Sequence, residues 1–221
     1  MSNNSKFDVD DAYALETPDD SVRLYGEWAD TYDSAFVRST GYVVYQRVAE
    51  LLLQQRSLIN GAVLDVGCGT GIVGECLREG GIEVVDGVDI SAPMLAEAGK
   101  KKTKDDDPVY RKLIAADLTK RLDMPDNQYA GLISAGTFTH GHLGPDSLDE
   151  LWRVAAAGAV CAIGVRDTHY KSMDFAEKLS IDFAAGTISK PDIAVVDMYS
   201  AQACDPAHAD DKALIVICQI L

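Results

Sequence analysis

The sequence of 221 residues has little basic charge: 20 Lys and Arg residues stand against 35 Asp and Glu residues, for a formal net charge of −15. Because binding to a nucleic acid would bring like charges together, we expect no nucleic-acid partner. The lysine run at 100–102 is followed at once by three aspartates at 105–107. We interpret it as the end of a helix, where the helix dipole favours cations.

Long hydrophobic runs are also missing. No apolar run approaches the roughly 18 residues of a membrane span, and the first 20 residues are polar and acidic, unlike a signal peptide. We therefore expect a cytoplasmic protein with no membrane partner. The five cysteines form no CxxC pair, and Cys161 and Cys218 lie in apolar, strand-like runs. Buried free thiols are the prediction there, rather than disulfides or zinc ligands.

Strand and helix patterns alternate along the chain. Helical periodicity begins at Val22 and recurs at 41–55, after the N-cap Ser91, at 147–155 and at 170–185. Strand patterns lie at 62–67, 83–89, 111–116, 129–134, 160–165, 193–199 and 213–221. The alternation predicts an α/β fold with a doubly wound, mostly parallel sheet of seven strands. No helix pattern separates the last two strands, which therefore predict an antiparallel C-terminal hairpin.

Two helix signals are specific enough to test. Ser147 with Glu150 three residues later predicts a capping box for the helix at 147–155. Apolar Phe175, Leu179 and Phe183 at i, i+4 and i+8 predict one continuous helix over 170–185, ended by Gly186.

Glycines at 67, 69 and 71 follow the apolar strand run, and a periodic helix comes next. Without a Cβ, such a turn can approach a ligand, and free N–H groups at a helix start favour a polar or anionic group. With its acid at position 65, the segment resembles the first motif of class I S-adenosylmethionine-dependent methyltransferases. The resemblance implies that this motif binds S-adenosyl-L-methionine through Asp65, Gly67, Cys68, Gly69, Thr70 and Gly71.

Two other interpretations fit the same residues. Gly69, Gly71 and Gly74 satisfy the dinucleotide-binding fingerprint, with Asp89 about 20 residues beyond the first of them. That pattern would indicate an NAD-type oxidoreductase. A glycine-rich turn without any ligand is the third possibility. The acid at Asp65 and the order of the later motifs favour the methyltransferase interpretation.

Acidic residues end the second and third predicted strands, at the sheet edge where open α/β folds bind ligands. Asp89 can accept hydrogen bonds from both ribose hydroxyls, or simply cap the next helix. The methyltransferase resemblance places Ile90 and Met94 beside the adenine, and Asp117 with Leu118 near its amino group.

The resemblance also covers an aromatic element and a loop of small residues. Tyr25, Trp28 and Tyr32 match an N-terminal Tyr-x-x-Trp-Ala-x-x-Tyr-Asp element that covers the methionine end of the cofactor. An aromatic helix face packed on the core is the alternative. Ala135 and Gly136, after the fourth strand, would let the backbone approach the methionine portion.

Three histidines are candidates for chemistry. His140 is the predicted general base, since imidazole titrates near neutral pH; an exposed loop residue is the alternative. His140 and His142 could share a metal, but no third ligand is evident, and we expect none. His169 is a weaker candidate for a catalytic role.

Taken together, the resemblance implies S-adenosylmethionine-dependent methyl transfer to a small-molecule acceptor, nearest to the Williams–Beuren region type. Residues 1–20 are predicted to be a mobile acidic tail, and 21–221 a single methyltransferase domain. Within it, 21–58 would form a helical lid and 59–221 a Rossmann-like core. A protein that binds S-adenosylmethionine without catalysis remains an alternative.

Overall fold

A seven-stranded sheet forms the centre of the fold. The computed structural model describes residues 17–139, 143–200 and 206–221. The strands are β1 (Val63–Val66), β2 (Val85–Asp89), β3 (Lys112–Ala115), β4 (Tyr129–Phe138), β5 (Ala155–Arg166), β6 (Asp192–Asp197) and β7 (Lys212–Gln219). Their order across the sheet is β3-β2-β1-β4-β5-β7-β6.

Strands β1 to β5 are parallel, whereas β7 runs antiparallel to both β5 and β6. The predicted Rossmann-like sheet with an antiparallel C-terminal hairpin is confirmed. Strand β1 has β2 on one side and β4 on the other, so the strand order reverses there. Ligands of open α/β sheets bind in the crevice that such a reversal leaves at the carboxyl ends of the strands.

Helices connect the strands. They are α1 (Pro18–Trp28), α2 (Val44–Gln54), α3 (Ile72–Glu79), α4 (Ala92–Ala98), α5 (Ser147–Val154), α6 (Asp167–Ser172) and α7 (Phe175–Ala184). A π-helix over Tyr32–Val37 and a helical turn over Arg38–Thr40 lead from α1 towards α2. Short 3-10 helices occupy Arg56–Leu58 and Pro206–His208.

Alternate residues of the central strands enter two separate apolar cores. Val63 and Ile133 pack in the core that also holds buried side chains of α1 to α4. Leu64 and Leu132 pack in the second core with α5 and α7. This alternation follows from the two-residue period of a strand and places helices on both faces of the sheet. Cys161 is buried as a free thiol, as predicted, and so is Cys218.

The single helix predicted over 170–185 is two helices instead. Asp174, with a φ of +54°, precedes α7 and separates it from α6. Phe175 and Leu179 are buried, but Phe183 is 46% exposed. Eight residues turn a helix by about 80° beyond two full turns, so Phe183 leaves the buried face. Gly186 follows the helix with a φ of +73°.

The capping box predicted for α5 is wrong. Asp146 precedes the helix, and no side chain caps its first turn. Glu150 accepts a hydrogen bond from the Leu122 backbone N–H at 2.6 Å and pairs with Arg153 at 2.5 Å. A charged partner one turn along the helix holds the Glu150 carboxylate away from the helix start.

Helix α1 begins four residues earlier than predicted, at Pro18, where Thr17 Oγ1 accepts a hydrogen bond from the Asp20 N–H at 3.2 Å. Among the residues that the structure describes, no helix has both the length and the apolar character needed to cross a membrane. The division into a tail, a lid over 21–58 and a core over 59–221 stays a prediction.

Candidate active site

A cleft of about 960 Å³, part of it open to solvent, lies beside the carboxyl ends of β1, β2 and β4. Thirteen of the sixteen residues predicted to bind the cofactor line it: Tyr25, Tyr32, Gly67, Cys68, Gly69, Thr70, Asp89, Ile90, Met94, Asp117, Leu118, Ala135 and Gly136. Trp28, Asp65 and Gly71 do not line it.

The glycines of the turn after β1 have different roles. Gly67, Gly69 and Gly71 have φ angles of +67°, +51° and +88°, in the left-handed region that favours glycine. A Cβ on Gly67 would overlap Thr137, and one on Gly71 would meet the Tyr110 ring at 2.7 Å. A Cβ on Gly69 would meet nothing within 4 Å. Gly69 therefore presents its backbone to the open cleft, whereas the other two allow close packing.

Asp89 is held by the backbone on both sides of the cleft floor. Its Oδ2 accepts a hydrogen bond from the Gly69 N–H at 2.8 Å, and its Oδ1 accepts one from the Ser91 N–H, also at 2.8 Å. Burial raises the pKa of this carboxyl, although the hydrogen bonds from Ser91 and Gly69 oppose the rise. A carboxylate can accept about four hydrogen bonds, so acceptor capacity remains for a ligand hydroxyl.

Asp65 lies beneath the turn and is fully buried. Its Oδ2 accepts a hydrogen bond of 2.6 Å from the Tyr110 hydroxyl, which also accepts one from the Gly74 N–H at 3.2 Å. Burial raises the pKa of Asp65 to about 7; the Tyr110 hydrogen bond lowers it, and the charge of Asp89 raises it further. The acid of the first motif therefore supports the turn from below.

The residues predicted beside the adenine all reach the cleft. Ser91 Oγ accepts a hydrogen bond from the Met94 N–H at 3.4 Å, as the N-cap prediction requires, and the start of α4 brings Ile90 and Met94 to the wall. Asp117 accepts hydrogen bonds from Thr119 and pairs with Lys120 at 2.9 Å. Slight burial raises its pKa, but these contacts outweigh that effect and lower it overall.

Tyrosine rings cover the other side of the cleft. Tyr25 and Tyr32 line it, with ring centroids 6.2 Å apart. Trp28 is 3% exposed and stacks on Phe36 at 5.7 Å, so this member of the aromatic element belongs to the core. Tyr42 and Tyr45, from the start of α2, also line the cleft and were not predicted. Their aromatic side chains, three residues apart at a helix start, were the available signal.

A chain of polar contacts joins the π-helix to the glycine turn. Thr70 Oγ1 donates to Asp33 Oδ1 at 2.5 Å, and Lys101 Nζ donates to Asp33 Oδ2 at 2.8 Å. Lys101 Nζ also donates to Glu75 at 2.5 Å. These partners are 26 to 68 residues apart in sequence, so no local sequence pattern predicts the contacts. They hold the N-terminal segment over the cleft.

The three candidate histidines fall into two groups: two lie outside the described residues, and one is buried in the core. His140 and His142 lie outside the described residues, so the predicted general base stays a prediction. His169 is buried, its Nε2 lies 2.8 Å from the Leu143 carbonyl oxygen, and its ring lies 5.5 Å from that of Phe175. It does not line the cleft, so its role is packing.

The raised pKa of Asp65 makes a prediction about stability. An unfolded aspartate titrates near 3.8, while the folded carboxyl keeps its proton until about pH 7. The folded state binds more protons between these values, so the free energy of unfolding falls as pH rises through this window. Asp65→Asn cannot lose that proton. In urea unfolding at pH 5 and pH 8, the variant should gain stability relative to the parent at the higher pH. Parallel pH dependences would show that Asp65 is ionised throughout.

Comparison with known proteins agrees with this geometry. Residues 63–158 match the sequence model of a family described as a methyltransferase domain. Among curated proteins, no sequence matches the chain.

Solved structures with a similar fold have low sequence identity. An S-adenosylmethionine-dependent methyltransferase from Aquifex aeolicus is 22% identical with a TM-score of 0.60, covering 89% of this chain and 98% of that one. A TehB-like methyltransferase of the same class from Corynebacterium glutamicum is 18% identical with a TM-score of 0.55 (91% and 98% covered). The cyclase SpnF is 16% identical with a TM-score of 0.64 (93% and 97% covered). These likenesses show the shared fold.

The domain match covers β1 to β4 and the start of β5, and this segment carries most of the residues that line the cleft. It implies S-adenosylmethionine as the methyl donor. Residues 63–158 therefore match a methyltransferase domain, within a fold that the similar solved structures share.

Proposed function

We propose that the chain transfers the methyl group of S-adenosyl-L-methionine to a small-molecule acceptor, with the cleft as the donor site. The open backbone at Gly69, next to a partly buried Asp89 that two hydrogen bonds orient, carries the proposal. The sulfonium of the donor supplies an activated methyl group. In the transfer, a lone pair of the acceptor would form the new bond to the methyl carbon, and the electron pair of the broken carbon–sulfur bond would stay on sulfur. The chain aligns the two atoms and excludes water.

Each wall of the cleft suits one part of the donor. Asp89 would accept hydrogen bonds from the ribose hydroxyls, and Ile90, Met94 and Leu118 offer apolar contacts for the adenine. The methionine portion would lie along the turn from Gly67 to Gly71, opposite Ala135 and Gly136. The tyrosines at 25 and 32 would close over it, and the contact between Asp33 and Thr70 would hold that cover in place.

Charge and lining support a small acceptor. The net charge of −15 disfavours nucleic acid, and the cytoplasmic location expected from the sequence belongs to the same proposal. The aromatic element that lines the cleft supports the narrower resemblance to the Williams–Beuren region type.

An oxidoreductase using NAD is the competing function. The third glycine of the dinucleotide fingerprint serves close packing of helix on strand. Here, Gly74 donates its N–H to the Tyr110 hydroxyl, and a Cβ on Gly74 would overlap the Tyr110 ring. Close packing at Gly74 fits either function, so the preference for the methyltransferase rests on the acid at Asp65, the order of the later motifs and the domain match.

Calorimetric titration tests the donor site. We expect the parent to bind S-adenosylhomocysteine and not NAD. Gly69→Leu would fill the open space at the turn and should abolish binding. Gly158→Leu is the matched control, because Gly158 also has a positive φ, +83°, and nothing within 4 Å of a built Cβ, but lies outside the cleft. Backbone strain is thereby similar in the two variants. Tight NAD binding, or unchanged binding by a folded Gly69→Leu variant, would contradict the proposal.

The ribose contact is tested at Asp89. Asp89→Ala should weaken S-adenosylhomocysteine binding by about 1.5–3 kcal/mol, through loss of charge-assisted hydrogen bonds. Titration with the 2′-deoxyribose analogue separates this effect from local disorder. The parent should prefer the ribose form, and the variant should bind both forms equally. If Asp89→Ala still prefers the ribose form over the deoxyribose form, Asp89 does not bind the ribose, and its role is limited to helix capping through Ser91.

His140 is the proposed general base and follows Thr139 directly in sequence. If it accepts a proton from the acceptor, His140→Ala should lower turnover by about 10²-fold or more, with S-adenosylhomocysteine affinity nearly unchanged. Transfer of a labelled methyl group to a metabolite extract measures turnover and also tests for a protein that binds without catalysis. A pH–rate profile that keeps its acidic limb in the variant would rule His140 out.

A further inference from the structure

A second cavity adjoins the donor cleft. The two cavities share Tyr25, Tyr32, Tyr42 and Gly136 as walls, so the second opens beside the side of the cleft proposed for the methionine portion. Its empty space is about 510 Å³, part of it open to solvent. We call it the tyrosine chamber. A methyl acceptor must approach from a space in this position.

Of the thirteen described residues that line the chamber, six are aromatic. Tyr25, Tyr32, Phe36, Tyr42, Phe138 and Tyr199 line it. Neighbouring ring centroids lie 5.0 Å apart between Tyr32 and Phe36, 6.1 Å between Phe36 and Tyr42, and 6.0 Å between Tyr42 and Tyr199. Walls of this kind favour a flat ring, which can make offset-stacked and edge-to-face contacts.

Among the residues that the structure describes, two hydroxyl groups in these walls have no hydrogen-bond partner. Tyr42 is 7% exposed and Thr139 is 9% exposed, and both Tyr42 Oη and Thr139 Oγ1 are buried without a partner. A buried polar group left in this state destabilises the fold, and most such groups in proteins are satisfied. Both residues line the chamber, so a ligand with two polar atoms would satisfy them.

The charged residues in its walls limit the class of ligand that the chamber can bind. Arg166 lines the chamber, and its Nη2 lies 3.3 Å from Asp211 Oδ2, so its charge is paired. Within the described part of the chain, no carboxylate, lysine or histidine lines the chamber. A cationic acceptor would therefore find no carboxylate in this lining to balance its own charge. A neutral or anionic acceptor fits better.

We propose that the tyrosine chamber binds the ring of a phenol-class acceptor, such as a catechol, with its oxygens against the Tyr42 and Thr139 hydroxyls. This rests on the proposed methyl transfer and names its acceptor class. The phenol oxygen would form the bond to the methyl carbon, the carbon–sulfur electron pair would remain on sulfur, and the phenol proton would pass to the general base of the proposed methyl transfer.

Burial raises the pKa of Tyr42 well above its ordinary value, with smaller contributions from Tyr199 and Tyr25. The hydroxyl therefore keeps its proton at neutral pH and can donate it in a hydrogen bond to a phenol oxygen. Tyr42 is in this respect a binding group, and it does not take the acceptor's proton.

Titration of the full chain with catechol, in the presence and absence of S-adenosylhomocysteine, tests the proposal. Catechol should bind, and benzylamine, of similar size but cationic, should bind far more weakly. Tyr42→Phe and Thr139→Val each remove one hydroxyl and should weaken catechol binding roughly fivefold. Tyr170→Phe is the matched control, since Tyr170 packs on Phe175 in the other core, and it should change nothing.

Thermal unfolding of the same variants tests whether weaker catechol binding comes from lost stability rather than from the lost hydroxyl group. Removing an unpartnered buried hydroxyl should leave stability unchanged or raise it, so weaker catechol binding in an equally stable Tyr42→Phe variant supports the chamber. Stronger binding of benzylamine, no catechol binding, or no effect of either variant overturns the proposal. If catechol binds through Tyr42 but S-adenosylhomocysteine does not bind, the donor assignment fails and the chamber stands.

Discussion

The tie between Asp89 and the glycine turn is the constraint on which the cleft depends. One carboxylate oxygen accepts from the turn after β1 and the other from the start of α4, so a single side chain joins two strand ends. Both hydrogen bonds are partly buried, so breaking either one leaves its backbone N–H poorly placed to bond water instead. Gly69 supplies its N–H to this tie and leaves its side-chain space empty. The ligand site is therefore fixed by backbone geometry before any ligand arrives.

Local sequence patterns predicted what local physics determines. Alternating strands and helices gave the doubly wound sheet, and the spacing of glycines and acids placed thirteen of the sixteen proposed cofactor residues on the cleft. Errors arose where a distant or charged partner outweighed a local preference. Glu150 does not form the predicted capping box, because its carboxylate pairs with Arg153 and accepts a hydrogen bond from the Leu122 N–H. Trp28 packs against Phe36, which is the alternative of core packing stated for the aromatic element, and its contact with the cofactor stays a prediction.

Contacts between remote residues could not be predicted from the sequence. Tyr110 reaches Asp65 across 45 residues, and Lys101 reaches Asp33 across 68. Each contact depends on the finished sheet, which brings the two segments together. The tyrosine chamber is of the same kind, because its walls come from α1, the π-helix, β4, β5 and the segment after β6. Periodicity identifies each of these elements but not the space that they enclose.

The fold therefore determines the donor side of the chemistry far more than the acceptor side. A cyclase is among the similar structures, so this architecture does not by itself fix which reaction follows. The difference must lie in side chains that line the space beyond the donor. In this chain those side chains include four tyrosines, two phenylalanines and one arginine, with no lining carboxylate among the described residues. In the proposed reaction, such a wall would distinguish acceptors by charge and flatness, which are properties that the common sheet leaves open.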